Sequence, residues 1–581
     1  MAMRITTKMV QNTSIRNLNI NKQRQEKLTN QMATGKKITR PSDDPVTAIR
    51  ALKLNSSLDK IDQYYERNSE DAKSWLELTE KAIGTVATIL GDKEGIMYKL
   101  NQIANTYLEE ADELAIVTEL TSFVKEYYSI GNADSAGRSL FTGYRTDLPL
   151  AFKEPKTENY KIIEQRTKLN MDKMTYVATG CLRELNEGNF NSTDASGNPL
   201  MDTTEYDVST NEIYRFRLAY DNLDTVESVE KDANGDPAPI LDVNGNPVNA
   251  KDVYGNPITD ANGNPVNVFM YEPEITFEYG DFKTGAVTKY SVNPYDENGN
   301  PVANAIKCFA NADEEAYMTV VNDPDAVVYI AETGELLLGD NVKQNVAELE
   351  SDVEIRFGYE KSEWKEGDLD PVHYFYTERK HPTQDRQLIY NDHFLEDASP
   401  SGKQIIEYDI GNNQTIRVNT TADELFTHNV GRDIYELQSM ADEKSIIFTN
   451  LNKIKSMIES GEYIEGDLQR LELQKAALEK ANTYINDKVK LRMGELITNF
   501  KGYLEEVNTA SVNCGSRGSR LNMIQNRLGT QQENYEELVS RNEDADYAEL
   551  ATQLASIKTS YDAALSSISY VMQTSLLDYI R

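Results

Sequence analysis

The sequence has 581 residues, 39% of them hydrophobic, with 95 acidic against 60 basic side chains. That length and apolar share allow several domains with buried cores. A formal net charge of −35 argues against broad charge-driven binding to nucleic acid or anionic lipid. No run of about 18 apolar residues marks a membrane span. The first residues, MAMRITTKMVQNTSIRN, lack the continuous apolar core and cleavage site of a secretory signal, so none is expected.

Residues 11–34 read as a helix with a loose stripe of Ile15, Leu18, Leu28 and Met32, interrupted at Lys22 and Gln25. Gly35 suits its end. The stretch TRPSDDPVTA follows at 39–48. Pro41 and Pro45 each remove an amide donor, and each biases the residue before it away from helix. The stretch therefore reads as a rigid break, with Ser42, Asp43 or Asp44 capping a helix that has Pro45 in its first turn. Tyr65, Ser69, Ala72, Leu76, Thr79, Ile83, Val86 and Leu90 then recur in steps of three and four, as on one face of a heptad helix. Further helix is expected from about 96 to 137, closed by GRSLFTG at 137–143.

After Pro149 the pattern changes to glycine, proline and short β-favouring runs such as 266–269, 275–277, 326–330 and 353–357. DANGDP, DVNGNP, DVYGNP and DANGNP recur at 232, 242, 252 and 260, with relatives at 194 and 296. Asn-Gly with a following proline predicts exposed turns or short hairpins. The aspartates offer oxygen ligands, but their spacing does not fit a calcium loop of the helix–loop–helix type. Helical periodicity returns from about 436, through Leu471, Leu478, Ala481 and Ile485, then Leu496, Phe500, Tyr503, Leu504 and Val507. The last stretch carries two registers. Leu521, Ile524, Leu528, Gln531, Tyr535 and Leu538 form the first. After the acidic interruption 542–546, the second takes Leu550, Leu554, Ile557, Tyr561, Ala564, Ile568, Val571 and Ser575, before Leu576 and Leu577 near the end. Such a stripe needs a partner surface, supplied by the first helices of the same chain, a neighbouring copy, or both.

Catalytic signatures are not found. HExxH, GxSxG and phosphate-loop motifs have no match. His373, His381, His393 and His428 lack ligand or base spacing, and Cys181, Cys308 and Cys514 are too scattered for a disulfide scaffold or zinc site. No enzyme activity, cofactor or metal is expected. No motif specifies a ligand for a glycan-binding or adhesive role of the middle region.

The opening MAMRITTKMVQNTSIRNLN with MATGKKITRPSDDPVTA, the GRSLFTG segment, and the closing residues 542–581 together resemble the flagellar hook-associated protein 3 family, the hook–filament junction proteins of the flagellin-like superfamily. The similarity covers roughly the first 150 and last 70 residues. Pro41, Pro45 and the ending SLLDYIR separate the pattern from flagellin itself, whose usual run has alanines there; the filament subunit is the alternative reading. The length exceeds many family members, and Thr34 stands where serine often precedes the glycine.

The resemblance implies an α+β multidomain fold. Long helices of an N-terminal region 1–150 and a C-terminal region 436–581 form a flagellin-like bundle, with a β-rich, outward-facing middle at 151–435. It implies an extracellular structural protein of the bacterial flagellum, exported without a cleaved signal through the type III apparatus and held by a dedicated chaperone. Its partners would be hook-associated protein 1, flagellin and itself, in a ring of about eleven copies. Ile15, Leu18, Leu28, Arg40, Pro41, Asp43, Asp44, Pro45, Leu550, Leu554, Ile557, Ala564, Ile568, Leu576 and Leu577 are the expected assembly or chaperone contacts.

Overall fold

The computed structural model of the chain describes residues 7–91, 93–105, 110–183, 208–228, 231, 238–260, 263–302, 304–380, 386–395, 404–461 and 465–579. The N-terminal helices are α1 (Thr7–Thr34), α2 (Pro45–Asp62), α3 (Ser69–Leu90), α4 (Ile96–Asn105) and α5 (Glu110–Ile130). A π-helical segment, Gln63–Asn68, links α2 to α3. The heptad reading of α3 holds: Ser69, Ala72, Leu76, Thr79, Ile83, Val86 and Leu90 are all buried. Thr79 tolerates burial because its hydroxyl donates to the Trp75 carbonyl at 2.8 Å. Helix does not continue to 137. It stops at Ile130, and Asp134 turns the chain by accepting the Gly137 amide at 2.9 Å, with Gly137 at φ 78°. Two short strands, β1 (Asp134–Ser135) and β2 (Arg138–Ser139), pair across that turn, and Leu140 and Phe141 are buried behind it.

The middle begins with β3 (Lys156–Arg166), β4 (Asp172–Ala178), β5 (Ser209–Arg217), β6 (Glu227–Ser228) and β7 (Tyr271–Glu272). It continues with β8 (Thr276–Asp281), β9 (Ala286–Ser291), β10 (Ile306–Phe309), α6 (Glu314–Asn322), β11 (Val327–Ile330), β12 (Glu335–Leu338) and α7 (Asp340–Ala347). β13 (Ile355–Trp364), β14 (Tyr376–Lys380), β15 (Gln387–Tyr390), β16 (Glu407–Gly411) and β17 (Gln414–Arg417) complete it. One sheet has the order β15-β14-β3-β13-β8-β9 and a second the order β10-β11-β12-β5-β4. Phe216 of the second sheet packs on Phe277 and Phe357 of the first, in a core rich in buried aromatic rings.

The repeated turns close in an unforeseen way. In each of Asp242, Asp252 and Asp296 the carboxylate accepts two amides of its own turn at 2.8–2.9 Å. The glycines of these turns take φ of 79–85°, a region costly for other residues. Residues 266–269 are not a strand. Ile240, Val248 and Val268 instead form a triangle, each amide donating to the next carbonyl at 2.8–3.0 Å, and Ala250, Ile258 and Val266 form another. The copies at 194 and 232 lie outside the described residues.

Helix returns earlier than position 436, at α8 (His428–Ser460), because the Thr427 hydroxyl caps it. α9 (Glu465–Glu543) and α10 (Tyr547–Tyr579) follow. Two compact units result: Met1–Ser74, Glu407–Arg417 and Ser516–Arg581 form one, Trp75–Ile406 and Val418–Gly515 the other.

Within the second unit, three arginines share carboxylates. Arg215 meets Asp172, Glu335 and Glu436, Arg217 meets Asp433 and Glu436, and Arg492 meets Asp433, Glu436 and Glu495. The cluster ties β4, β5 and β12 to α8 and α9. His373 and His428 are spent structurally, on the Pro149 carbonyl and the Tyr220 hydroxyl, each at 3.0 Å. His381 lies outside the described residues. Cys308 is half-buried and Cys514 buried, and the Cys181 side chain is not described. Among the described residues no helix is long and apolar enough to cross a membrane.

Candidate assembly surface

The first unit brings the two ends of the chain together. α1 packs on α10, with Leu28 and Leu550 buried on their respective helices. Gly35 ends α1 at φ 71°, and a Cβ there would stand 2.8 Å from the Tyr547 hydroxyl. The chain then crosses the elbow between α9 and α10. Lys37 N donates to the Glu543 carbonyl at 2.7 Å and Ala545 N to the Gly35 carbonyl at 2.9 Å. Lys36 Nζ reaches Asp544 at 2.7 Å and Glu543 at 3.2 Å. The hydrogen-bonded ion pair raises the Lys36 pKa and lowers that of Asp544.

The proline segment resolves into local capping. Asp44 Oδ1 accepts from Val46 N at 3.1 Å and Thr47 N at 3.3 Å, with Pro45 at the start of α2. The Thr47 hydroxyl donates to Oδ2 at 2.6 Å, and chiefly this bond holds the Asp44 carboxyl below its usual range. Asp43 Oδ2 accepts Arg40 N at 3.0 Å, the main cause of its own lowered pKa. Both aspartates thus serve the turn, while Arg40, Pro41 and Pro45 are exposed. Asp546 likewise caps α10, accepting Ala548 N at 2.9 Å and Glu549 N at 3.1 Å.

The expected stripes hold in part. Leu18, Leu554, Ile557, Ala564 and Ile568 are half-buried. Ile15 is 50% exposed and Met32 39%, so neither faces the fold; the α1 positions at heptad spacing that are covered are Leu18, Asn21, Gln25 and Leu28. On α9, Gln531 and Leu538 are exposed. Gln532 turns inward instead, its amide donating to Asp62 at 2.9 Å and Glu66 at 3.2 Å. The side chains of Leu576 and Leu577 lie outside the described residues. One apolar face escaped the sequence reading: Val46, Ile49 and Leu52 of α2 are 73%, 57% and 68% exposed. Their three-residue spacing was the available signal. Among the described residues no cluster of His, Cys, Asp or Glu could hold a metal.

Comparison with known proteins matches residues 5–146 to the bacterial flagellin N-terminal helical region and 497–580 to the flagellin C-terminal helical region. Flagellar hook-associated protein 3 of Salmonella typhimurium is 30% identical over 147 residues, and that of Escherichia coli 28% over 147. Each match takes in 25% of this chain and 45% of the relative's length. Among solved structures, flagellar hook-associated protein 3 of Legionella pneumophila aligns over 84% of this chain and 97% of its own, at 8% identity and a TM-score of 0.26. The FlgL structure from Xanthomonas campestris aligns over 84% and 99%, at 10% identity and a TM-score of 0.26.

Proposed function

We propose that this chain, which carries the N- and C-terminal helical regions of bacterial flagellin and resembles flagellar hook-associated protein 3, is a structural component of the flagellum that joins hook-associated protein 1 to the flagellin filament. The observation that carries the reading is the meeting of both matched regions at the Gly35–Lys37 and Glu543–Ala545 crossing. The long helices beyond it leave apolar side chains only half covered. A two-helix hairpin of this length gains order when neighbouring copies cover those side chains. Heterologous contacts of this kind close into a ring, here of about eleven copies. The mechanism is interface formation, with Ile15, Leu18, Leu554, Ile557, Ala564, Ile568, Leu576 and Leu577 as adhesive groups, Leu28 and Leu550 buried within the assembling unit, and the Arg40–Pro45 turn fixing the bend between them. Before assembly, an export chaperone covers the last helix, and the chain leaves through the flagellar type III apparatus without cleavage.

The test is paired substitution, Leu554→Asp with Ile557→Asp. Loss of chaperone co-purification or of junction assembly is expected, with the second unit still folded. Normal behaviour in both assays removes these residues from the interface. The flagellin helical regions also favour a second reading, a filament subunit. Purified chain that polymerises extensively by itself supports that reading, whereas capping of preformed hooks supports the junction.

A further inference from the structure

A cleft of about 1040 Å³ opens in the second unit between the end of α5, the first turns of α8, and the loops at 151–153, 219–221 and 365–369. Its volume is that of a small-molecule site of a few rings. Tyr128, Tyr220, His428 and Arg432 line it, and Lys125, Lys153 and Lys365 come to it from three different segments.

Arg432 is the anomaly. Its neighbours Arg215, Arg217 and Arg492 each hold at least two carboxylates. Arg432 has no carboxylate at ion-pair distance among the described residues. Its Nη2 donates to the carbonyls of Thr333 and Gly334, and its Nε is buried without a hydrogen-bond partner. Burial, and then Arg217 nearby, press its pKa down, and Asp221, Glu335 and Glu436 oppose that only from beyond ion-pair distance. Such a group is costly to the fold, and an anion in the cleft offsets that cost.

The remaining lining limits which anion fits. Asp221, Glu366, Asp368 and Asp442 also line the cleft, matching the four cations in number, and would repel a polyanion or phosphate. Along one face of α8, Tyr435, Gln438, Ser439 and Asp442 offer a ring face, donors and acceptors, and Tyr435 is 40% exposed. That combination suits a hydroxyl-rich ring bearing one carboxylate. We propose that the cleft binds an acidic saccharide, with the sugar carboxylate against Arg432 and the lysines and the sugar ring against Tyr435. The proposal is independent of the flagellar role.

Calorimetry on the full chain tests it with galacturonic acid, its methyl ester and inorganic phosphate. The acid is expected to bind at least tenfold tighter than the ester, and phosphate not to compete. Arg432→Gln should abolish the difference between acid and ester, and Tyr435→Ala should weaken both. Lys365→Gln, on the exposed rim, should lower acid affinity several-fold and serves where Arg432→Gln does not fold. Equal affinity for acid and ester, no saturable binding, displacement by phosphate, or substitutions without effect would each overturn the proposal.

Discussion

Arg492 shows how a single side chain holds elements together in the second unit. It is 8% exposed and reaches Asp433 at 3.1 Å and Glu436 at 3.0 Å. Arg492→Ala takes one shared cation from two buried carboxylates that keep Arg217, and Arg215 at Glu436, so a loss of about 1–3 kcal/mol is expected in urea unfolding. Burial is the largest influence on Glu436 and pushes its pKa up, yet Arg215, Arg492 and Arg217 together bring it far below the carboxylate range. A depressed carboxyl stabilises the fold above its unfolded pKa of about 4.3, and that contribution is lost as pH falls further. Asp370 runs the other way. Burial raises its pKa to about 6. Its charged form is therefore disfavoured in the fold, and stability falls as pH rises from about 4 to 6. Asp370→Asn keeps the bond from Val372 N, seen at 3.1 Å. It should leave stability unchanged near pH 3 and raise it by about 1–3 kcal/mol above pH 7, read from urea midpoints across that range. None of these partners was legible in the sequence, because Arg215, Glu335 and Arg492 are brought together only by the sheet and the returning helices.

At the scale of elements, caps and breaks were legible because they act within a few residues. Asp44 with Pro45 starts α2 as its chemistry demands, and Gly35 ends α1. Gly35→Ala should cost about 1–2 kcal/mol from the left-handed backbone alone, and its Cβ would also crowd Tyr547. Faster amide exchange confined to α1 and the 541–547 elbow is the expected readout. Faces of long helices were read less well. Over α9 the covered face drifts from Leu528 to Gln532, since 3.6 residues per turn does not keep a strict heptad in register. The Asp-x-x-Gly-Asn-Pro segments were legible as turns, but their triangular hydrogen-bond closure joins residues from separate repeats. Asp252→Ala removes the acceptor of two turn amides. A loss of about 0.5–2 kcal/mol is expected there, visible as proteolytic nicking between 241 and 268 with the melting of the helices unchanged.

For the molecule as a whole, the charge of −35 sets copies against one another at low ionic strength. If the half-covered helices are the adhesive surface, self-association should strengthen between about 20 and 300 mM salt, as screening removes the repulsion and leaves apolar burial intact. Sedimentation across that range measures it, and weaker association at higher salt would point to ionic contacts instead. The division into units was not legible: the hairpin Glu407–Arg417 belongs with the two chain ends, and nothing local in its sequence announces that. Asn68 Nδ2 donating to the Asp409 carbonyl at 2.7 Å is one of the bonds responsible. This partition has a temporal consequence. Lys36 finds Asp544 only after some five hundred intervening residues have emerged, so on any path that threads the polypeptide Lys36 first, through a ribosome or a narrow conduit, α1 travels without α10 to pack against.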